Sequence, residues 1–165
     1  MITALLIALA LTPSSPSETP TACRAQDLSI TFDSKDGEFN GMSHSGTLMS
    51  IRQHGSSTCL LPGIPQLSFT DADGKPLPVA RVVPRGMHPG PVIVPVKLAP
   101  GATATSALRW VSGEVYDPSR CVDAARVSVA IGKETVKVPF TGHFCGVANQ
   151  TIRFEQPVLQ PAGHS

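Results

Sequence analysis

Four cysteines, at 23, 59, 121 and 145, and five histidines, at 44, 54, 88, 143 and 164, are the side chains of this 165-residue chain best suited to chemistry. Thiolates and imidazoles hold zinc or copper. Such sites usually bring their ligands in close pairs, C-x2–4-C or H-x3–5-H, because one short turn then aims both at one ion. No such cysteine pair occurs, nor a C-x-x-C redox motif. Four widely spaced cysteines instead predict two structural disulfides. His143 stands two residues before Cys145 and could ligate a metal only with that thiol reduced, against the disulfide reading. Met42 with His44, and Met87 with His88, put soft sulfur beside imidazole, a donor set that suits Cu(I). Their spacing matches no copper motif. A copper or zinc carrier built on these four residues is therefore the alternative function, and no metal or other cofactor is expected.

Catalytic patterns fare no better. Gly41-Met42-Ser43-His44-Ser45-Gly46 departs from the G-x-S-x-G elbow because position 45 is serine, and no helix follows to hold a nucleophile. It is expected to be a polar hairpin loop. Asp71-Ala72-Asp73-Gly74 opens like a calcium loop, but Val82 stands where the twelfth-position glutamate belongs, so a turn is expected. Phosphate-binding glycine loops, H-E-x-x-H and paired catalytic carboxylates are missing, so no enzyme activity is expected. Lys+Arg 13 against Asp+Glu 12 gives a net charge of +1, which excludes nucleic-acid binding through bulk charge.

The elements that must position these residues are short. Gly 14 and Pro 16 mark frequent turns, and no stretch offers a three-turn amphipathic helix free of both. Apolar and polar residues alternate in Leu28–Phe32, Gln66–Thr70 and Val127–Ile131, the period of a strand with one buried face. Ser45–Arg52, Val92–Leu98, Ala102–Val111, Val136–Phe140 and Thr151–Glu155 read as further strands. Pro76–Val82 reads as an edge strand, because proline cannot donate to a central ladder. About eight short strands with polar turns predict an all-β fold, an antiparallel Ig-like sandwich with two disulfides; a closed barrel is the alternative. Trp110, alone of its type, is expected in the core with its indole N–H bonded.

The beginning of the chain points to export. Ala4–Leu11 is apolar but far shorter than the roughly 20 residues that span a bilayer, and Ala8-Leu9-Ala10 offers a signal cleavage site. No Lys or Arg precedes the apolar run, so a start further upstream is possible. Cys23 lacks the leucine three residues earlier that marks lipid attachment, so lipidation is not expected. Residues 1–22 are assigned to a signal peptide and a Pro/Ser/Thr-rich leader, 23–157 to the domain and 158–165 to a flexible tail. The mature chain is expected in the periplasm or outside the cell, without a transmembrane anchor.

Four features occur in order: Cys23 just before the first strand; Thr58-Cys59-Leu60-Leu61-Pro62-Gly63-Ile64-Pro65; Leu98-Ala99-Pro100-Gly101 running to Ala104 and Leu108-Arg109-Trp110; and Cys121 with Cys145-Gly146. Over residues 23–157 this set resembles the bacterial secreted domain of unknown function 4232, a four-cysteine Ig-like sandwich. The resemblance implies an exported β domain and supplies no catalytic residues. In the motif stretches, Pro100-Gly101 suits the centre of a type II turn, and Gly63 between two prolines is expected at positive φ.

Strand order then predicts the disulfides. If Leu28–Phe32 pairs antiparallel with Ser45–Arg52, Cys23 and Cys59 fall at one end of the sheet. The hairpin through Gly132-Lys133 does the same for Cys121 and Cys145, so the expected bridges are Cys23–Cys59 and Cys121–Cys145. The favoured function is a non-enzymatic binding module for a protein or cell-envelope component. Its expected contact surface is the proline-stiffened loop Val83–Pro91, with Arg85, Met87 and His88.

Overall fold

The computed structural model describes residues 19–82 and 92–163. Its strands are β1 Thr21–Ala22, β2 Leu28–Asp33, β3 His44–Gln53, β4 Cys59–Leu61, β5 Leu67–Thr70 and β6 Val79–Arg81, then β7 Val96–Leu98, β8 Thr103–Val111, β9 Ser119–Ile131, β10 Glu134–Val147, β11 Ile152–Glu155 and β12 Gln160–Pro161. Only two short 3-10 turns interrupt them, Ala25–Asp27 and Lys35–Gly37. No helix of the described residues is long and apolar enough to cross a membrane.

The largest sheet runs β2-β3-β8-β11-β6, with β12 beside β8; a second runs β10-β9-β5, and a third β1-β4-β7. The fold is all-β and built of open sheets, not a barrel. Two pairs, β1 with β4 and β11 with β6, are parallel, which corrects the wholly antiparallel expectation. Alternation explains the packing. Along β8, Ala104, Ser106, Leu108 and Trp110 turn inward while the residues between them stay partly or fully exposed. Facing them are rings from the second sheet. Phe144 lies 4.6 Å from Trp110 between ring centroids, and Phe69 meets Phe154 edge-on at 5.3 Å. Such aromatic pairs contribute about 0.5–1.5 kcal/mol each beyond the area they bury.

Strands β9 and β10 are far longer than alternation foretold. Their register shifts between Pro139 and Gly142, a bulge at a residue that has no N–H to give the ladder. Beyond the bulge the inward positions of β10 are Gly142 and Gly146 on either side of Phe144, so only one of the three is a large apolar side chain. A Cβ at Gly142 would sit 2.5 Å from the Phe140 ring, so neighbouring aromatics occupy its space. Glycine at alternate inward positions therefore hides the period of the strand.

Two boundaries move as well. β7 begins only at Val96, after Pro95, leaving Val92 to Val94 exposed rather than in the strand expected from Val92. At the other end, Leu159 is 2% exposed and Gln160–Pro161 pairs with Thr105 and Ala104. The tail assigned from residue 158 thus joins the sheet as far as Pro161.

Candidate functional site

Cys23 and Cys59 are bonded, as are Cys121 and Cys145, and no described cysteine is free. Two different local structures bring them together. Cys23 follows β1, whose Thr21 aligns with Cys59 of β4, and its N–H donates to the Leu60 carbonyl at 3.0 Å. Cys121 and Cys145 stand directly opposite each other in the β9–β10 ladder. The start of β2 also lies against the end of β3, Leu28 opposite Gln53, as the pairing argument required. Beside the second bridge, Nδ1 of His143 lies 2.6 Å from Oδ1 of Asp123. The two sulfurs and an imidazole nitrogen fall within 4.8 Å of one another. With the sulfurs joined, neither is a thiolate, so the oxidised cluster is not a metal centre.

The other sequence candidates separate. Met42 is fully exposed and His44 begins β3, whereas Met87 and His88 lie outside the described residues. So do Arg85 and the whole segment 83–91, and the apolar run 4–11. Only Gly41–Ser43 of the expected hairpin loop lie outside a strand; His44, Ser45 and Gly46 open β3, and the Ser45 hydroxyl donates to Oδ1 of Asn40 at 2.8 Å. Asp71 behaves as a turn residue: its Oδ1 accepts the N–H groups of Asp73 and Lys75 at 3.0 and 2.8 Å, and Gly74 takes φ +83°. Asp33 accepts the Lys35 N–H in the same manner. That bond, with the ammonium of Lys35 behind it, holds its carboxyl below the usual carboxylate range.

One pairing has no trace in the sequence. The Ser29 hydroxyl and Nε2 of His54 lie 2.7 Å apart on the solvent side of the β2–β3 pair. A nucleophilic serine needs such a base, and the base needs an orienting carboxylate. Asp27 is nearby, since its carbonyl accepts the His54 N–H, but its carboxylate accepts from Nε of Arg24 at 2.8 Å instead. The pair is thus a Ser–His hydrogen bond without the third member of a triad.

A cleft of about 600 Å³ lies where β3 begins and β8 ends. Arg109, Arg153, Glu155, His44, Phe39 and Tyr116 contribute to its walls. Arg109 and Glu155 are register partners on β8 and β11, and the Arg109 guanidinium lies 6.0 Å from the centroid of the Phe39 ring. Phe39 can lie there because β3 carries Gly46, where a Cβ would meet the Phe39 Cβ at 2.8 Å. Among the described residues, neither Arg109 nor Arg153 is in an ion pair. Val82, the last residue before segment 83–91, lines the same cleft.

Residues 23–156 match the model of a family described as Domain of unknown function (DUF4232). The chain belongs to that family. No curated protein and no solved structure matches it. The matched span opens at Cys23, the first half of a bridge, and covers all four cysteines. Its two motif stretches are structural. Gly101, at φ +76°, follows Pro100 in a turn closed by the Ala102 N–H and the Ala99 carbonyl at 3.0 Å, as a type II turn requires. Gly63 differs from expectation: its φ is not positive, and what it supplies is room. A Cβ there would meet the Val94 carbonyl oxygen at 2.5 Å, so the chain before β7 passes directly over it.

Proposed function

We propose that this chain is a non-enzymatic binding module of the cell exterior, and that its cleft beside β8 receives an anionic group of a protein or envelope component. The cleft carries this reading. Two guanidinium groups line it outside any ion pair among the described residues, with the Glu155 carboxylate on the same wall, and Phe39 and Tyr116 add aromatic surface beside them. Arginine forks match carboxylate and phosphate geometry, and a flanking ring holds the cation by its quadrupole. The loop 83–91, with Arg85, Met87 and His88, lies outside the described residues and is proposed as a contact surface from its sequence alone. Two closed disulfides support a site of action in an oxidising compartment, periplasmic or extracellular, following export.

Titration with a glutamate-rich peptide at low salt, followed by NMR, tests the reading. The guanidinium signals of Arg109 and Arg153 should shift, and salt or the double substitution Arg109→Ala with Arg153→Ala should abolish the effect. Shifts confined to residues 83–91 would move the surface to that loop. A fluorophosphonate probe should leave Ser29 unlabelled; stoichiometric labelling at Ser29 would replace the binding module with a serine hydrolase.

A further inference from the structure

We propose that the β9–β10 hairpin holds a latent site for a thiophilic divalent ion such as zinc, closed by the Cys121–Cys145 disulfide and opened by a dithiol reductant. Three observations converge on it. Cys121 and Cys145 are directly opposed in the ladder, so both sulfurs stand on one face of the hairpin. His143 and Asp123 are the opposed pair two residues further along, on that same face. The sulfurs and an imidazole nitrogen already lie within 4.8 Å of one another, the scale on which side-chain rotation can bring ligands to bonds of about 2.0–2.3 Å.

The histidine is prepared for the role. An ionised carboxylate only accepts hydrogen bonds, so the 2.6 Å contact with Asp123 places the imidazole proton on Nδ1. In the neutral ring Nε2 then carries the lone pair, the arrangement in which a carboxylate orients a ligating histidine. The histidine side chain is 51% exposed and that of Asp123 84%, so an ion can reach them from solvent. Cys121 is partly exposed while Cys145 is 2% exposed, which makes Cys121 the sulfur a reductant attacks first.

The chemistry balances. A dithiol delivers two electrons and two protons to the Cys121–Cys145 bond, becoming a disulfide and leaving two protein thiols. The ion then binds as both thiols release their protons to solvent, with His143 as third ligand and water in the fourth position. Reduction need not dissolve the scaffold. The hairpin is paired from Glu134 opposite Ile131 to Val147 opposite Ser119, interrupted only by the bulge between Pro139 and Gly142, and Phe140 and Phe144 anchor it in the core.

Anaerobic Co²⁺ titration of the full chain, reduced and then freed of reductant, tests this. One equivalent should bind with thiolate-to-cobalt charge-transfer absorption, and the oxidised protein should show none. His143→Ala, at an exposed position, should weaken the site by more than the roughly 10–100-fold that loss of an orienting partner such as Asp123 costs, while leaving circular dichroism unchanged. Cys121→Ser should abolish the charge-transfer band, and the double substitution Cys23→Ser with Cys59→Ser should keep it. Binding that ignores His143, binding that requires Cys23 and Cys59, or loss of folded signal on reduction would each overturn the proposal.

Discussion

The indole Nε1 of Trp110 donates to the backbone carbonyl of His143 at 2.9 Å, so a strand of the largest sheet is hydrogen-bonded to a strand of the sheet that faces it. The bond lies beside the ring contact with Phe144 and pins the outer half of β10 in place. Replacing Trp110 with Phe removes a buried donor, strands the carbonyl and leaves a void. A loss of about 2–4 kcal/mol is expected. Urea unfolding should show a lower midpoint with an unchanged slope.

Gly63 allows a sharp steric test. Gly63→Ala drives a methyl group toward the Val94 carbonyl, at 2.5 Å in the present geometry, and overpacking of this kind costs about 1–3 kcal/mol. Gly41→Ala, with nothing within 4 Å of the added carbon, should leave stability nearly unchanged. The comparison of their melting temperatures decides whether Gly63 is needed for space.

The end of the domain is set by Leu159, buried to 2% exposure, whose N–H donates to the Gly63 carbonyl at 2.8 Å. Leu159→Ala should cost about 2–5 kcal/mol. Truncation after Pro157 should cost at least as much. A chain shortened there and still as stable as the full one would restore the free tail.

The two bridges close loops of 36 and 24 residues. In the chain-entropy model each contributes roughly 3–4 kcal/mol. Paired Cys→Ala substitutions at either bridge should lower the unfolding midpoint by amounts consistent with that figure. Peptide mapping without reduction should return only Cys23–Cys59 and Cys121–Cys145.

Asp33 is exposed, with its pKa lowered chiefly by the Lys35 N–H. Folding therefore favours its ionised form. The stabilisation is present above the ordinary aspartate pKa and fades as pH falls through the folded value. An NMR titration should find a midpoint below that of an unstructured aspartate. Lys35→Ala keeps the backbone donor, so it should move the midpoint only part of the way back.

Much of this architecture is legible in the residues themselves. Leu28–Phe32 and Ser45–Arg52 have one apolar face each and form β2 and β3 within a residue or two. The bridges follow because strand pairing restricts which cysteines can meet. β1, β4 and β12 leave no such mark, since two or three residues cannot display a period of two. The parallel entry of β6 beside β11 depends on long-range packing, which local alternation does not encode. The site was harder still. Arg109, Arg153 and Glu155 look like the ordinary solvent face of two strands until β11 is laid against β8. Ser29 and His54 are 25 residues apart and meet only through the β2–β3 register.

The Cys23–Cys59 bridge also determines how the molecule would bear a mechanical load. A pull applied through the residues before Thr21 enters at Cys23 and passes through the sulfurs straight into β4, bypassing residues 24–58. Those residues, which include the β2–β3 pair, form a covalently closed ring that cannot be drawn out. At about 3.3–3.6 Å per residue, the 36-residue loop withholds roughly 120–130 Å of contour length from extension while the bridge is intact. Under such a load the β2–β3 pair would stay folded behind the bridge, and only the chain beyond Cys59 could be extended.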